Sequence, residues 1–168
     1  MTDQANQTAH ALFDLIPPAV APDFLKDYGL VMTPRQAQAL TTMLLSLTTY
    51  WITCAIRVSI PEPVGSRMHQ IIQERIREKW GSRFGLVHVP MEQILPVMEQ
   101  QHHTWERLVR QGGEPIAVLH EAAGSLATEG MMASPDEQKI LAVLLDLVPI
   151  EEIGTHVTAL EHSLRPII

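Results

Sequence analysis

The 168-residue chain reads as an all-α protein: a compact bundle of five to six helices around one long apolar helix at about residues 34–60. Three observations predict this. Apolar residues recur at spacings of three and four along most of the chain, which lines them up on one face of a helix. Prolines mark most of the boundaries between those stretches, where a residue without an amide proton starts or stops a helix. Apolar residues make up 46% of the chain, and aromatics are scarce, with three Trp, three Phe and two Tyr. The core is therefore built from Leu, Ile, Val, Met and Ala, which suits helix-on-helix packing.

Residues 1–33 form an N-terminal arm. A short helix over 8–16 presents Leu12, Phe13, Leu15 and Ile16, and Pro17, Pro18 and Pro22 then force an extended path. The arm is apolar enough to dock. A single helical domain, 34–168, follows. Thr33-Pro34-Arg35-Gln36 combines an N-cap hydroxyl, proline at the first helical position and a Gln three residues after the cap. The helix it opens meets no breaker until Pro61. Leu40, Leu44, Leu47, Trp51, Cys54 and Val58 make a continuous stripe, and Met43, Leu45, Tyr50, Ile52 and Ile56 widen it beyond what one core-facing side needs.

A second helix begins after Pro61-Glu62-Pro63 and ends near Gly81, with Val64, Met68, Ile71, Ile72, Ile76 and Trp80 on its inner face. Residues 84–89 are the only strand-like run, and a lone strand is better read as an extended connector. The third helix spans 91–111, with Met91, Leu95, Met98, His102, Trp105 and Val109 as its stripe. Pro96 marks its first turn or kinks it, and Gly112-Gly113 ends it. Pro115 opens a helix rich in small residues. Ser134-Pro135-Asp136-Glu137 caps another that carries Ile140, Leu141, Leu144, Leu145 and Val148. After Pro149 comes the last seam: Ile150, Ile153, Val157, Leu160 and Leu164.

The formal charge of −7 is unevenly spread: −2 over residues 1–66, +3 over 67–83 and −8 over 84–168. The basic segment holds Arg67, Arg75, Arg77, Lys79 and Arg83 against Glu74 and Glu78. Most of the surface repels nucleic acid, and no stacking aromatics or helix-turn-helix signature accompany the cluster. It is expected to pair with the acidic C-terminal half. Eight histidines would carry the charge from −7 to +1 if all protonated, so behaviour near pH 6 should be sensitive. The lone Cys54 excludes an internal disulfide and a cysteine-based zinc site. Residues 40–60 are long enough to cross a bilayer, but seven Ser or Thr among them and the lack of flanking belts favour burial in protein. The N-terminus lacks a signal-peptide pattern, so a cytoplasmic location is expected.

One constellation could hold a metal or haem. Glu99, His102, His103 and Glu106 fall within about 100° of one helix face. Glu99 to His102 has the Glu-x-x-His spacing of carboxylate-bridged di-iron bundles, but the second motif those sites need is missing. His120, Glu121, Glu152 and His156 are further possible ligands. Against this, His102 lies in an apolar seam, where a hydrogen-bonded boundary histidine suffices. No phosphate loop, nucleophile elbow or Cys–His pairing is found. Only 18% of residues are charged, below the roughly 25% typical of globular chains, so some apolar surface should meet a partner. The expected function is thus a non-enzymatic interaction or regulatory module acting as a homodimer through Leu40, Leu44, Leu47, Trp51 and Val58. The rival is a metal- or haem-binding bundle, possibly an enzyme, using the four ligands above.

Overall fold

The computed structural model describes residues 2–128 and 136–164. The fold is all-α. Its elements are α1 (Thr2–Asp14), a short α2 (Pro22–Leu25) running into a 3-10 turn, α3 (Pro34–Ser59), α4 (Glu62–Glu78), α5 (Met91–Arg110), α6 (Pro115–Thr128), α7 (Glu137–Leu147) and α8 (Ile150–Leu164). Seven of these have eleven residues or more, against five to six expected.

At 26 residues, α3 is the longest helix, and its start is the reciprocal cap that the sequence encodes. Thr33 Oγ1 accepts from the Gln36 backbone N–H at 3.2 Å, and the Thr33 backbone N–H donates to Gln36 Oε1 at 2.9 Å. At the far end Ile60 turns extended before Pro61. Several hydroxyls along α3 are satisfied from within, although Thr48 Oγ1 is buried without a partner. Thr41, Thr42 and Thr49 each donate to a carbonyl three or four residues back, which lets a Thr-rich helix lie in a core. By length and hydropathy α3 could cross a membrane, yet 61% of its most apolar stretch is buried inside the fold.

Two clusters of buried side chains meet along α3. The first joins Leu40, Leu44 and Leu47 to Val118 and Ala122 of α6 and to Ile140 and Leu144 of α7. The second joins Leu45, Ile52 and Ile56 to Leu12 and Phe13 of α1, Met68 and Ile72 of α4, and Ile153, Val157 and Leu160 of α8. Much of the wide apolar surface of α3 is thereby covered from within the chain. Leu40, Leu44 and Leu47, expected to face a second chain, are fully buried in the protomer, in one cluster with Ala122 and Ala123 of α6 and the apolar face of α7. Trp51 is half-buried between the two clusters, and Val58 alone of the five stays largely exposed, at 83%.

The N-terminal arm docks. Its helix starts earlier than the sequence indicates and inserts Ala5, Ala9, Leu12, Phe13 and Ile16 into the second cluster, mainly against α4. Arg83 ties the end of α1 down: its Nη2 donates to the carbonyls of Asp14 and Ile16 at 2.9 and 2.7 Å. Arg75 and Arg83 also stack on the Phe13 ring at 5.3 and 5.4 Å. The basic segment therefore works locally. Its ion pairs, Arg75–Glu78 and Lys79–Glu78, stay within α4 and its cap rather than reaching the acidic C-terminal half.

Residues 84–89 form turns and irregular backbone, as expected of a connector. Trp80 Nε1 holds it by donating to the Val89 carbonyl at 2.8 Å. Pro96 sits inside α5 rather than in its first turn. The helix ends at a left-handed Gly112 (φ 90°), with the Gly113 N–H returning to the Leu108 carbonyl at 3.1 Å. The last seam forms as read, with Ile153, Val157 and Leu160 buried. Ser134 and Pro135, assigned to the cap of α7, lie outside the described residues.

Candidate functional site

Beyond Pro61, α4 turns back along α3, so closely that a Cβ at Gly65 would meet Ile56 at 3.0 Å. The third wall, α5, follows α3 in the same direction. Ser46 Oγ donates to Gln101 Oε1 at 2.7 Å, the Tyr50 and Trp105 rings meet at 5.5 Å, and Arg57 Nη1 reaches Glu106 Oε1 at 3.0 Å. But α4 leans onto α1 and α5 leans onto α6, so these two walls scarcely meet. A cleft of about 410 Å³ remains between them, floored by α3.

Ile52, Ile72, Ile76, Met91, Leu95 and Met98 provide its apolar surface. Along its α4 edge run His69, Gln73 and Arg77, spaced by four residues and so about 6 Å apart on one side of the helix. Across from them stand Tyr50, Cys54 and Arg57 of α3 and His102 and Glu106 of α5.

All four sequence-nominated ligands border this cleft, but they do not converge. His102 turns inward: its Nε2–H donates to the Ser46 carbonyl at 2.9 Å, which fixes the neutral tautomer and leaves only Nδ1 with a lone pair. Its ring packs between Tyr50 and Trp105, with centroids at 5.5 and 5.7 Å. Glu99 and His103 point to solvent, 3.9 Å apart, and Glu106 is held by Arg57 and Arg110 at 3.0 and 2.9 Å. Among the described residues no group of three or more His, Cys, Asp or Glu could hold a metal ion, and His120, Glu121, Glu152 and His156 do not complete one. The physical reason is angular. A 100° arc on a helix is wide enough that one edge meets the core while the other meets water.

The electrostatics of the cleft follow from its depth. Burial pushes the His102 pKa below the ordinary 6.5, partly offset by the bond to Ser46. Burial lowers His69 in the same way. Both rings are therefore neutral at pH 7. Burial also raises Tyr50 well above its ordinary value, with Cys54 adding to the effect, and raises the Cys54 thiol. Cys54 keeps its proton and is a poor nucleophile. Glu106 is lowered, first by Arg110, and stays ionised. These groups can hold, orient and shield a bound molecule.

Sequence reasoning found the α5 side of this site and missed the α4 side. The signal was present. His69, Gln73 and Arg77 repeat at intervals of four beside the apolar series Met68, Ile72 and Ile76, so a polar row runs parallel to a core row. Compared with known protein families, characterised proteins and solved structures, the chain matches none.

Proposed function

We propose that this protein is a non-enzymatic binding module whose working site is the α3–α4–α5 cleft. One observation carries the reading: the cleft offers about 410 Å³ with mainly apolar walls, whereas hollows of similar size elsewhere on the surface are lined mainly by polar and charged residues such as His103, Glu106, Arg107 and Arg110. That size lies within the ~300–1,000 Å³ range of small-molecule sites, and the composition matches their mainly apolar lining with a few polar groups. The neutral probe N-phenyl-1-naphthylamine tests it. One equivalent should bind the folded chain with enhanced fluorescence, and Leu95→Trp, which fills the cleft from a 44% exposed position, should abolish that signal. No binding, or binding that Leu95→Trp leaves unchanged, overturns the reading.

Self-association remains a second reading, moved from α3 to α5. Val97, 51% exposed, leaves an apolar side chain at the surface in the first half of α5, on the side of the helix turned away from Leu95. A second copy meeting that face would bury apolar area that the protomer leaves wet. Light scattering at micromolar concentration should then return a dimer that Val97→Lys splits; a clean monomer sinks this reading.

A further inference from the structure

We propose that the cleft takes an organic monoanion with an apolar body, a medium-chain carboxylate, whose charged end is held by Arg77 and Gln73. The proposal rests on the reading of the cleft as a ligand site and adds the chemistry of the ligand.

Three observations lead to it. Among the described residues no hydrogen bond or ion pair engages the side chains of His69, Gln73 or Arg77, although all three line the cleft. Gln73 and Arg77 are exposed and His69 is half-buried, so water solvates them and their donors remain free to meet a ligand along one wall. The second observation is the charge balance. Arg57 and Arg110 share the single carboxylate of Glu106, so each guanidinium has an ionic partner within the protein, although one positive charge of the trio is left over. His69 and His102 are neutral at pH 7, because burial disfavours their charged forms. Glu99 stands at the outer lip with its side chain 77% exposed, fully available to water. Arg77 is thus the cleft-lining cation without a carboxylate among the described residues. One unpaired guanidinium suits one anionic group, and its planar fork matches a carboxylate through two parallel N–H···O bonds. The neighbouring Gln73 amide adds a neutral donor about one helical turn away.

The third observation is the position of the apolar surface. Ile76 adjoins Arg77 in sequence, and Ile72 lies one turn before it, facing Met91, Leu95 and Met98 of α5. An apolar chain anchored at Arg77 would lie along this surface and cover the exposed part of Leu95. The methionines add unbranched, adaptable side chains that can mould to a flexible chain.

The experiment is calorimetric titration of the full chain with octanoate and, separately, with 1-octanol, each below its aggregation limit. Octanoate should bind about tenfold or more tightly than the alcohol, as expected of a charge-assisted, bidentate contact. Arg77→Gln should erase that preference while leaving 1-octanol unchanged, and Leu95→Trp should weaken both. Both positions are exposed enough that circular dichroism and thermal unfolding should match the parent chain. If neither compound binds, the cleft is not a ligand site and the proposal falls with it. If both bind equally and Leu95→Trp blocks both, the ligand site stands and the carboxylate assignment is overturned. A preference for octanoate that survives Arg77→Gln also overturns it.

Discussion

The two sides of α3 make opposite use of the same kind of sequence. On one side Leu44, Leu47 and Thr48 are completely buried, against small residues of α6 and the leucines of α7. On the other, Thr49, Thr53 and Cys54 are only half-buried and look into a cleft. Helix propensity is not what separates them, since both lie on one unbroken helix. The difference comes from the neighbours. On the closed side α6 and α7 pack against each other, and both share one buried cluster with α3, so this side is sealed. On the open side each wall is also attached elsewhere: Met68, Ile72 and Ile76 draw α4 into the cluster with α1, and Trp105 packs α5 into the cluster that holds α6. A cleft held open by walls anchored outward costs less to keep empty than one that must resist collapse onto itself, because closing it would break packed contacts.

The sharpest way to break this comparison is to remove one leucine from each side. Leu44→Ala deletes a fully buried side chain and should cost about 2–5 kcal/mol, from lost transfer energy plus the cavity left behind. Leu95→Ser on the cleft lip, already 44% exposed, should stay within about 0.5 kcal/mol. Urea unfolding of the two variants measures both, with the slope against denaturant unchanged. Comparable losses would mean that the cleft is closed in solution.

Local signals in the sequence carried most of the fold. The Thr33–Gln36 box, the Gly112-Gly113 stop and the seam of Ile153, Val157 and Leu160 all act between residues a few positions apart, so they could be read directly. What could not be read is which helix covers which stripe. Leu40 and Leu44 have the periodicity of a buried face whether α6 or a second chain buries them, and the pattern is identical in the two cases. The arm was underestimated for a related reason: Ala5 and Ala9 look unremarkable until Phe13 and Arg83 fix α1 against α4. The cleft was half legible. His102 and Glu106 stood out by residue type, whereas Gln73 and Arg77 gain their meaning only from the gap opposite them.

The smallest expected effect concerns protons, and it separates the two sides by a different measure. His69 and His102 line the cleft, and both are held neutral by burial below the ordinary histidine value of 6.5. A pKa lower in the folded than in the unfolded chain means that the unfolded chain binds more protons just below pH 6.5. The stabilisation is therefore complete above that pH and drains away as pH falls toward the folded-state value. Of the groups around His102, Tyr50 and Cys54 are shifted upward and Glu106 is shifted downward beside Arg110 and Arg57, while the neighbouring His103 opposes and Glu99 favours its protonation. Unfolding free energy should fall between pH 7 and 5, by less than the loss from Leu44→Ala. The pair of substitutions His69→Gln and His102→Gln should flatten that slope, the second keeping a donor for the Ser46 carbonyl. Leu44→Ala should lower the whole curve far more than it tilts it, since the substitution itself removes no titrating group. A pH slope equal in the parent chain and the double variant would show that the cleft histidines are solvated in both states, and the open side of α3 would then lose its claim to a distinct electrostatic environment.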